Sequence, residues 1–359
     1  MSYHILHLLS HHLRVRLKLD QLHIEDRENG TERTVPLADV AVIVAAAPDL
    51  SVTAGALRRM AELNVLMLIC NEKFEPCVLT LPYYRATNTE LLRRQIEWTP
   101  QWKESLWRQV VTAKVRNQAT NLAHLKRAHT VLTEIAKRCE NPPSIGGTRS
   151  ASPTSIPPLN EDMNEGKNRD LQERVPPNKI SLATLTASKR AAFLSDSPAA
   201  HESRAARHYW KHLLPRLSDA MSSHETRRIP RTREGVNGML DYGYAILRTA
   251  VLRSLAAHGF IAAIGIHHAA KAGSFALADD LMEPLRPWTD RELRQFLQGG
   301  ERPMKEWMAQ VVQVLACEVL MGKTKMRFLN AIDLYVQSFA DATLMRTNHP
   351  LKIPMLPVS

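Results

Sequence analysis

Pro76-Cys-Val-Leu-Thr-Leu81-Pro82 is the stretch at which this chain changes its period. It reads as the last of a series of strands. Ahead of it, Leu13-Arg-Val-Arg-Leu-Lys-Leu19 alternates apolar and basic side chains, as a strand with one buried face does. Val40-Ala-Val-Ile-Val44 is a short apolar strand, and Val65-Leu-Met-Leu-Ile-Cys70 reads as a buried one. Asn29-Gly30 is a turn signal before Thr34-Val-Pro-Leu37, and Thr53 to Leu63 reads as a helix. His4, His7 and His11 recur at helical spacing, but the flanking alternation favours a strand, which scatters them. Beyond Pro82 the spacing becomes helical. Glu90 to Trp98 and Trp102 to about Arg138 carry apolar residues three and four apart, and Val236, Met239, Leu240, Gly243, Ile246, Leu247 and Ala250 follow one helical face. The fold class is therefore α+β: a small amino-terminal mostly-β domain (1–84), then a large all-α domain (85–359).

Between the helical stretches, Asn141-Pro-Pro-Ser-Ile-Gly-Gly147 and residues 153–177 are rich in Pro, Ser, Gly and charge. Such text buries too little apolar surface to pack. Residues 140–178 are expected to form a mobile surface insert, with helix resuming near Ser181 and continuing almost to the Pro-rich tail.

The 359 residues suffice for two domains, or one large one, and 44% hydrophobic content is ordinary for a globular chain. A formal charge of +11 points to a polyanionic partner. Cys70, Cys77, Cys139 and Cys317 form no C-x-x-C pair, so they read as reduced thiols. No signal peptide is legible, and no apolar run approaches the roughly 20 residues that span a bilayer. A cytoplasmic protein without membrane contact is expected. Phosphate-loop, dinucleotide and serine-elbow motifs do not occur.

Three local texts carry candidate chemistry. Ser195 to Pro198 is a helix start, after which Glu202, Ala205, Ala206 and Tyr209 share one face. His267 and His268 end the apolar run Ile261-Ala-Ala-Ile-Gly-Ile266; adjacent histidines diverge, so one at most faces a given site. Asp279, Asp280 and Glu283 fall within about one helical turn, and such acids repel unless a cation compensates them. Arg286 is the nearest cation in sequence. Taken singly, each is more often a solvated or structural residue than a ligand. Together, two carboxylates and an imidazole suit Mg²⁺ or Mn²⁺ better than a closed zinc cage. Arg227-Arg-Ile-Pro-Arg231-Thr-Arg233 holds four arginines in seven residues, a solvated loop or a phosphate clamp.

These motifs, with Val35-Pro-Leu-Ala-Asp-Val-Ala-Val-Ile43, Cys70-Asn-Glu-Lys-Phe74, Leu106-Trp-Arg-Gln-Val-Val-Thr-Ala-Lys-Val-Arg-Asn-Gln118, Leu240-Asp-Tyr-Gly-Tyr-Ala-Ile-Leu-Arg248 and Gly265 through Arg286, resemble the CRISPR adaptation integrases, the first-numbered family of the CRISPR-associated proteins. The resemblance is strongest to versions that accompany single-effector systems. It implies a metal-dependent DNA endonuclease and integrase that inserts short foreign fragments (spacers) into the CRISPR array, the fragment's 3′-hydroxyl attacking a repeat phosphodiester. It selects Glu202, His268 and Glu283 as catalytic metal ligands, with Asp280 supporting Glu283 and Tyr242 near the reacting strand. Arg227, Arg228, Arg231, Arg233 and Arg248 are the expected DNA contacts. It also implies a homodimer formed through the β domain, with two dimers around one dimer of the small second CRISPR-associated protein; the effector nuclease is a further partner it allows. The chain departs from the family at Asp241, where Asn is common, at Ala269-Ala270, where Arg-Asn is common, and in the length of its insert. A non-catalytic DNA-binding scaffold and a transposon-type integrase of the same fold are the rival readings.

Overall fold

The computed structural model describes residues 4–47, 49–71, 76–80, 82, 88–142, 196–221, 225–230, 232, 234–268 and 275–357. Nearly all of the expected insert, and the helix expected from Ser181 to 195, lie outside the described residues.

The amino-terminal region holds eight strands among the described residues: β1 (His4–Leu8), β2 (Leu13–Lys18), β3 (Gln21–Asp26), β4 (Thr31–Pro36), β5 (Val40–Ala45), β6 (Ser51–Val52), β7 (Leu66–Cys70) and β8 (Pro76–Leu79). They form two sheets, ordered β1-β5-β7-β8 and β4-β3-β2-β6. In the first, β1, β5 and β7 run parallel and β8 antiparallel. The alternation in β2 appears as Leu13 and Val15 buried with Arg16 exposed. β5 is buried along its whole length because it lies between two apolar layers. Ile43 and Ala45 pack with Leu22, Ile24 and Met60 on one side, whereas Val42 and Val44 pack into the helical core on the other. That double burial explains its unbroken apolar run. α1 (Ala54–Glu62) begins where Thr53 accepts a hydrogen bond from the Ala56 N–H.

Ten helices in all are described, the others being α2 (Thr89–Ile96), α3 (Pro100–Asn121), α4 (Lys126–Glu140), α5 (Pro198–Ala220), α6 (Gly235–His258), α7 (Ala276–Met282), α8 (Arg286–Phe296), α9 (Met304–Val311) and α10 (Phe328–Met345). Asn88, Thr99 and Ser197 cap α2, α3 and α5. Two features correct the sequence reading. The helical pattern from Trp102 to Arg138 is broken at Leu122–Leu125, where the Leu125 N–H bonds the Leu122 carbonyl and α4 folds back along α3. No Gly or Pro marks that turn; burial of leucines on both helices outweighs helix continuity. The helical region also contains a hairpin, β9 (Glu318–Met321) and β10 (Thr324–Arg327), whose turn uses Gly322 at φ 62°. No helix among the described residues is long and apolar enough to cross a membrane.

Candidate active site

The site is built on α3, a 22-residue helix buried on most sides. Such a helix should be apolar throughout, yet Lys114, Asn117 and Asn121 lie on it at i, i+3 and i+7, all buried. Each has a structural task. The Asn117 amide donates to the carbonyls of Pro284 (2.7 Å) and Pro354 (3.1 Å) and accepts from the Leu356 N–H (2.9 Å). It thereby fixes the 3-10 turn Glu283–Leu285. The Asn121 amide donates to the Tyr209 hydroxyl at 2.7 Å, tying α3 to α5.

Lys114 brings the two predicted glutamates together. Its Nζ donates to Glu202 Oε1 on α5 at 2.6 Å and lies 2.6 Å from Glu283 Oε2. Glu283 Oε2 is thus a buried carboxylate oxygen whose partner is the Lys114 ammonium. Arg286 reaches Glu283 Oε1 at 3.1 Å. Burial by itself would raise the Glu283 pKa; Arg286 and Lys114 outweigh it and hold the carboxyl below its ordinary range. Burial likewise opposes the Lys114 charge, but Glu283 and Glu202 pull its pKa up. Two acids and two cations make a balanced, largely dry cluster.

His268 approaches from the loop after α6. Its Nδ1 lies 2.6 Å from Asp280 Oδ1, and Asp280 is fully buried. Asp280 also accepts the backbone N–H groups of Ile266, His267 and His268. The loop can wrap this closely because residue 265 is glycine: a Cβ there would stand 2.5 Å from Asp280 Oδ2 and 2.9 Å from the His268 carbonyl. The Asp280 hydrogen bond raises the His268 pKa, burial opposes it, and the nearby Glu283 and Glu202 carboxylates add to the rise. Asp280 thus acts on His268 here; Lys114 and Arg286 are the partners of Glu283. His267 is separated from this role by stacking on Trp107, with centroids 4.2 Å apart and planes within 4°.

The donor chemistry fits a hard divalent cation. Two carboxylates already share one positive charge, and a carboxylate-oriented imidazole stands within electrostatic reach. Among the described residues no three His, Cys, Asp or Glu donors converge closely enough to hold a metal as they stand. The ammonium of Lys114 lies between the two glutamates.

The remaining predicted residues are placed differently. Tyr242 is buried against the β region, its hydroxyl 3.0 Å from His7 Nε2. Arg228 is held by Asn237 Oδ1 (2.9 Å) and by Asp241, the acid that stands where the family resemblance led us to expect Asn. Arg248 pairs with Asp279 at 2.7 Å. Arg227 is exposed; Arg231 and Arg233 lie outside the described residues. Tyr244 enters a second buried network, donating with Tyr209 to Asp290 while Arg286 lies 4.9 Å over its ring. Sequence reasoning missed Lys114. Its signal was a charged residue followed by two asparagines at helical spacing inside an otherwise buried helix.

Two carboxylates bridged by a cation beside a carboxylate-bound imidazole make up the candidate site, set on a β-sheet region and a helical bundle. The chain matches the family described as CRISPR associated protein Cas1 over residues 6–149 and 163–324, and it belongs to that family. It is 27% identical over 343 residues to the CRISPR-associated endonuclease Cas1 of Neisseria meningitidis serogroup C (strain 8013), covering 94% of this chain and 92% of that protein. Its fold is similar to a casposase bound to integration product, with a TM-score of 0.70, 15% identity, and 100% and 95% of the two chains covered. It is also similar to a chain of a Cas6-RT-Cas1–Cas2 complex, with a TM-score of 0.66, 14% identity, and 98% and 36% covered.

Proposed function

We propose that this Cas1-family enzyme joins DNA by transesterification at Glu202, His268 and Glu283, with Mg²⁺ or Mn²⁺ as its cofactor. The observation that carries this reading is the Lys114 ammonium shared by carboxylates from two separate elements, beside an imidazole oriented by a buried Asp. Glu202 and Glu283 would hold the ion, with His268 presenting its Nε2. When bound, the ion polarises the scissile phosphate and stabilises charge on the attacking or leaving oxygen, worth several kcal/mol. Lys114 then gives up its carboxylates, and Asp280 keeps the imidazole in one orientation through Nδ1. The 3′-oxygen of the incoming fragment forms a new P–O bond at the repeat boundary. The P–O bond to the repeat strand's own 3′-oxygen breaks, and that oxygen takes up the proton that the attacking 3′-hydroxyl loses.

The name of the Neisseria relative supports the endonuclease, and the casposase neighbour, bound to integration product, supports strand transfer; we take double-stranded DNA as the substrate. The Cas1–Cas2 neighbour supports the small second CRISPR-associated protein as partner; we assign it an arrangement of two dimers around one dimer of that protein. We assign homodimerisation to the β part, residues 1–84, catalysis to residues 85–359, and the working compartment to the cytoplasm. The casposase likeness also favours a second reading, a transposon-type integrase of the same fold. Transfer to random plasmid sites as readily as to repeat ends would select it.

The test is strand transfer into a repeat-containing plasmid with the purified partner and metal. Glu202→Ala, His268→Ala and Glu283→Ala should each lower it at least about 100-fold, since a lost ligand removes several kcal/mol of charge stabilisation. The helical circular dichroism should stay intact. Near wild-type transfer by any one variant removes that residue from the site.

A further inference from the structure

A cavity of about 480 Å³ lies far from the carboxylates, where the turn between α3 and α4 meets the carboxyl-terminal half of α5. Lys126, Lys211, Arg216 and His124 line it. Both ring nitrogens of His124 face guanidinium groups: Nε2 lies 3.3 Å from Arg216 and Nδ1 3.5 Å from Arg294 of α8. A neutral imidazole has one acceptor nitrogen and one N–H, so only one of these contacts can be a hydrogen bond. The other sets a donor against a donor, and protonation would make both unfavourable. Burial, then Arg294 and Arg216, lower the His124 pKa. Arg294 Nε is shut from water with no acceptor. Among the described residues none of Lys126, Lys211, Arg216 and Arg294 pairs with a carboxylate, whereas Arg94, Arg116, Arg228 and Arg286 each do. The cluster is short of an anion. The start of α4, which has no side-chain cap, opens onto the same cavity and adds the positive end of a helix.

We propose that this cavity seats a backbone phosphate of the same DNA duplex whose strand is joined at Glu202 and Glu283. The inference rests on the strand-transfer reading and adds to it a second, remote contact. Glu202 and Arg216 both lie on α5, fourteen residues apart by their numbering and about 40° from the same face, so the rise between them is about 21 Å. A duplex covers that span in about six base pairs. A guanidinium fork with flanking lysines suits a phosphodiester.

Binding of a repeat duplex of about 20 base pairs to the full chain, measured across a salt series with chelator present, tests this without catalysis. Lys211→Ala/Arg216→Ala should bind about tenfold more weakly, with a salt slope lower by about one to two. Lys323→Ala/Lys325→Ala, an equal loss of charge on the β9–β10 hairpin, should bind as wild type does. Lys211, Arg216, Lys323 and Lys325 are exposed, so both variants should melt as wild type does; Arg216→Lys should retain most of the affinity. Phosphate ethylation should show an interfering position about six base pairs from the junction that disappears in the first variant. Equal slopes and affinities in the two double variants overturn the proposal. So does an effect confined to binding of the second CRISPR-associated protein, which would make the cavity a protein contact. Failure of the wild type to transfer strands would count against the catalytic reading and leave these binding measurements standing.

Discussion

Lys114 carries a full charge into a place where only 8% of its side chain is exposed. It is tolerated because two carboxylates meet it there, and each would be costly alone. Replacing it removes one of two cations from a cluster with two acids. Lys114→Met should therefore destabilise the metal-free protein by about 3–5 kcal/mol, the usual penalty for leaving a buried charge unpaired. Excess Mn²⁺ should then return part of that loss, about 2.7 kcal/mol at a hundredfold excess over the dissociation constant. Thermal melts with chelator and with Mn²⁺ decide it; a variant indifferent to metal would contradict a cation site between Glu202 and Glu283. At Gly265 the argument is steric. Gly265→Ala puts a methyl group 2.5 Å from Asp280 Oδ2, so the loop carrying His268 must shift. Strand transfer should fall at least about tenfold, with about 1–3 kcal/mol of stability lost. Full activity with an unchanged melting point would show that Asp280 does not set the position of His268.

At the level of elements, α8 is held to α5 and α6 by one buried carboxyl. Tyr209 from α5 donates to Asp290 Oδ2 at 2.8 Å, and Tyr244 from α6 donates to Oδ1. Burial raises the Asp290 pKa to about 6, against the two tyrosine hydrogen bonds and the Arg228 and Arg286 charges that lower it. A raised carboxyl pKa means that the folded state holds the proton more tightly than the unfolded one. The associated stability is fully present below the unfolded pKa, near 4, and is lost as pH rises through about 6. The stability of wild type relative to Asp290→Asn should thus fall by about 3 kcal/mol across that window, then level off. Denaturant titrations at several pH values check it. A flat difference would mean that Asp290 is ionised in the fold throughout.

Over the whole molecule, β5 joins the two parts by lending alternate side chains to two cores. His7 of β1 meets Tyr242 of α6 across the same junction; burial lowers the His7 pKa to about 4, so the ring is neutral at pH 7 and can accept the phenol proton. The charge of +11 should make duplex binding weaken steeply with salt. Neutralising Arg227, Arg228, Arg231 and Arg233 together should flatten that dependence. It should also lower the melting point, because Arg228 holds Asp241 and Asn237 at the start of α6. An unchanged salt slope would place the binding face elsewhere.

By itself the sequence determined the α+β class, the strand and helix periods, the helix starts at Thr53 and at Ser195 to Pro198, and the family through motifs that keep their order. These are local properties: a period or a cap depends on residues within a turn or two of one another. The tertiary structure decided which charges meet. Lys114 and Glu202 are 88 positions apart, His7 and Tyr242 are 235. Asp280, one helical turn before Glu283, turned out to serve His268, because the Gly265 loop wraps over it and Asn117 turns Glu283 toward α3. Spacing along a helix says which residues share a face. Only packing says what that face is pressed against, and for Glu202 and Glu283 that neighbour is a lysine.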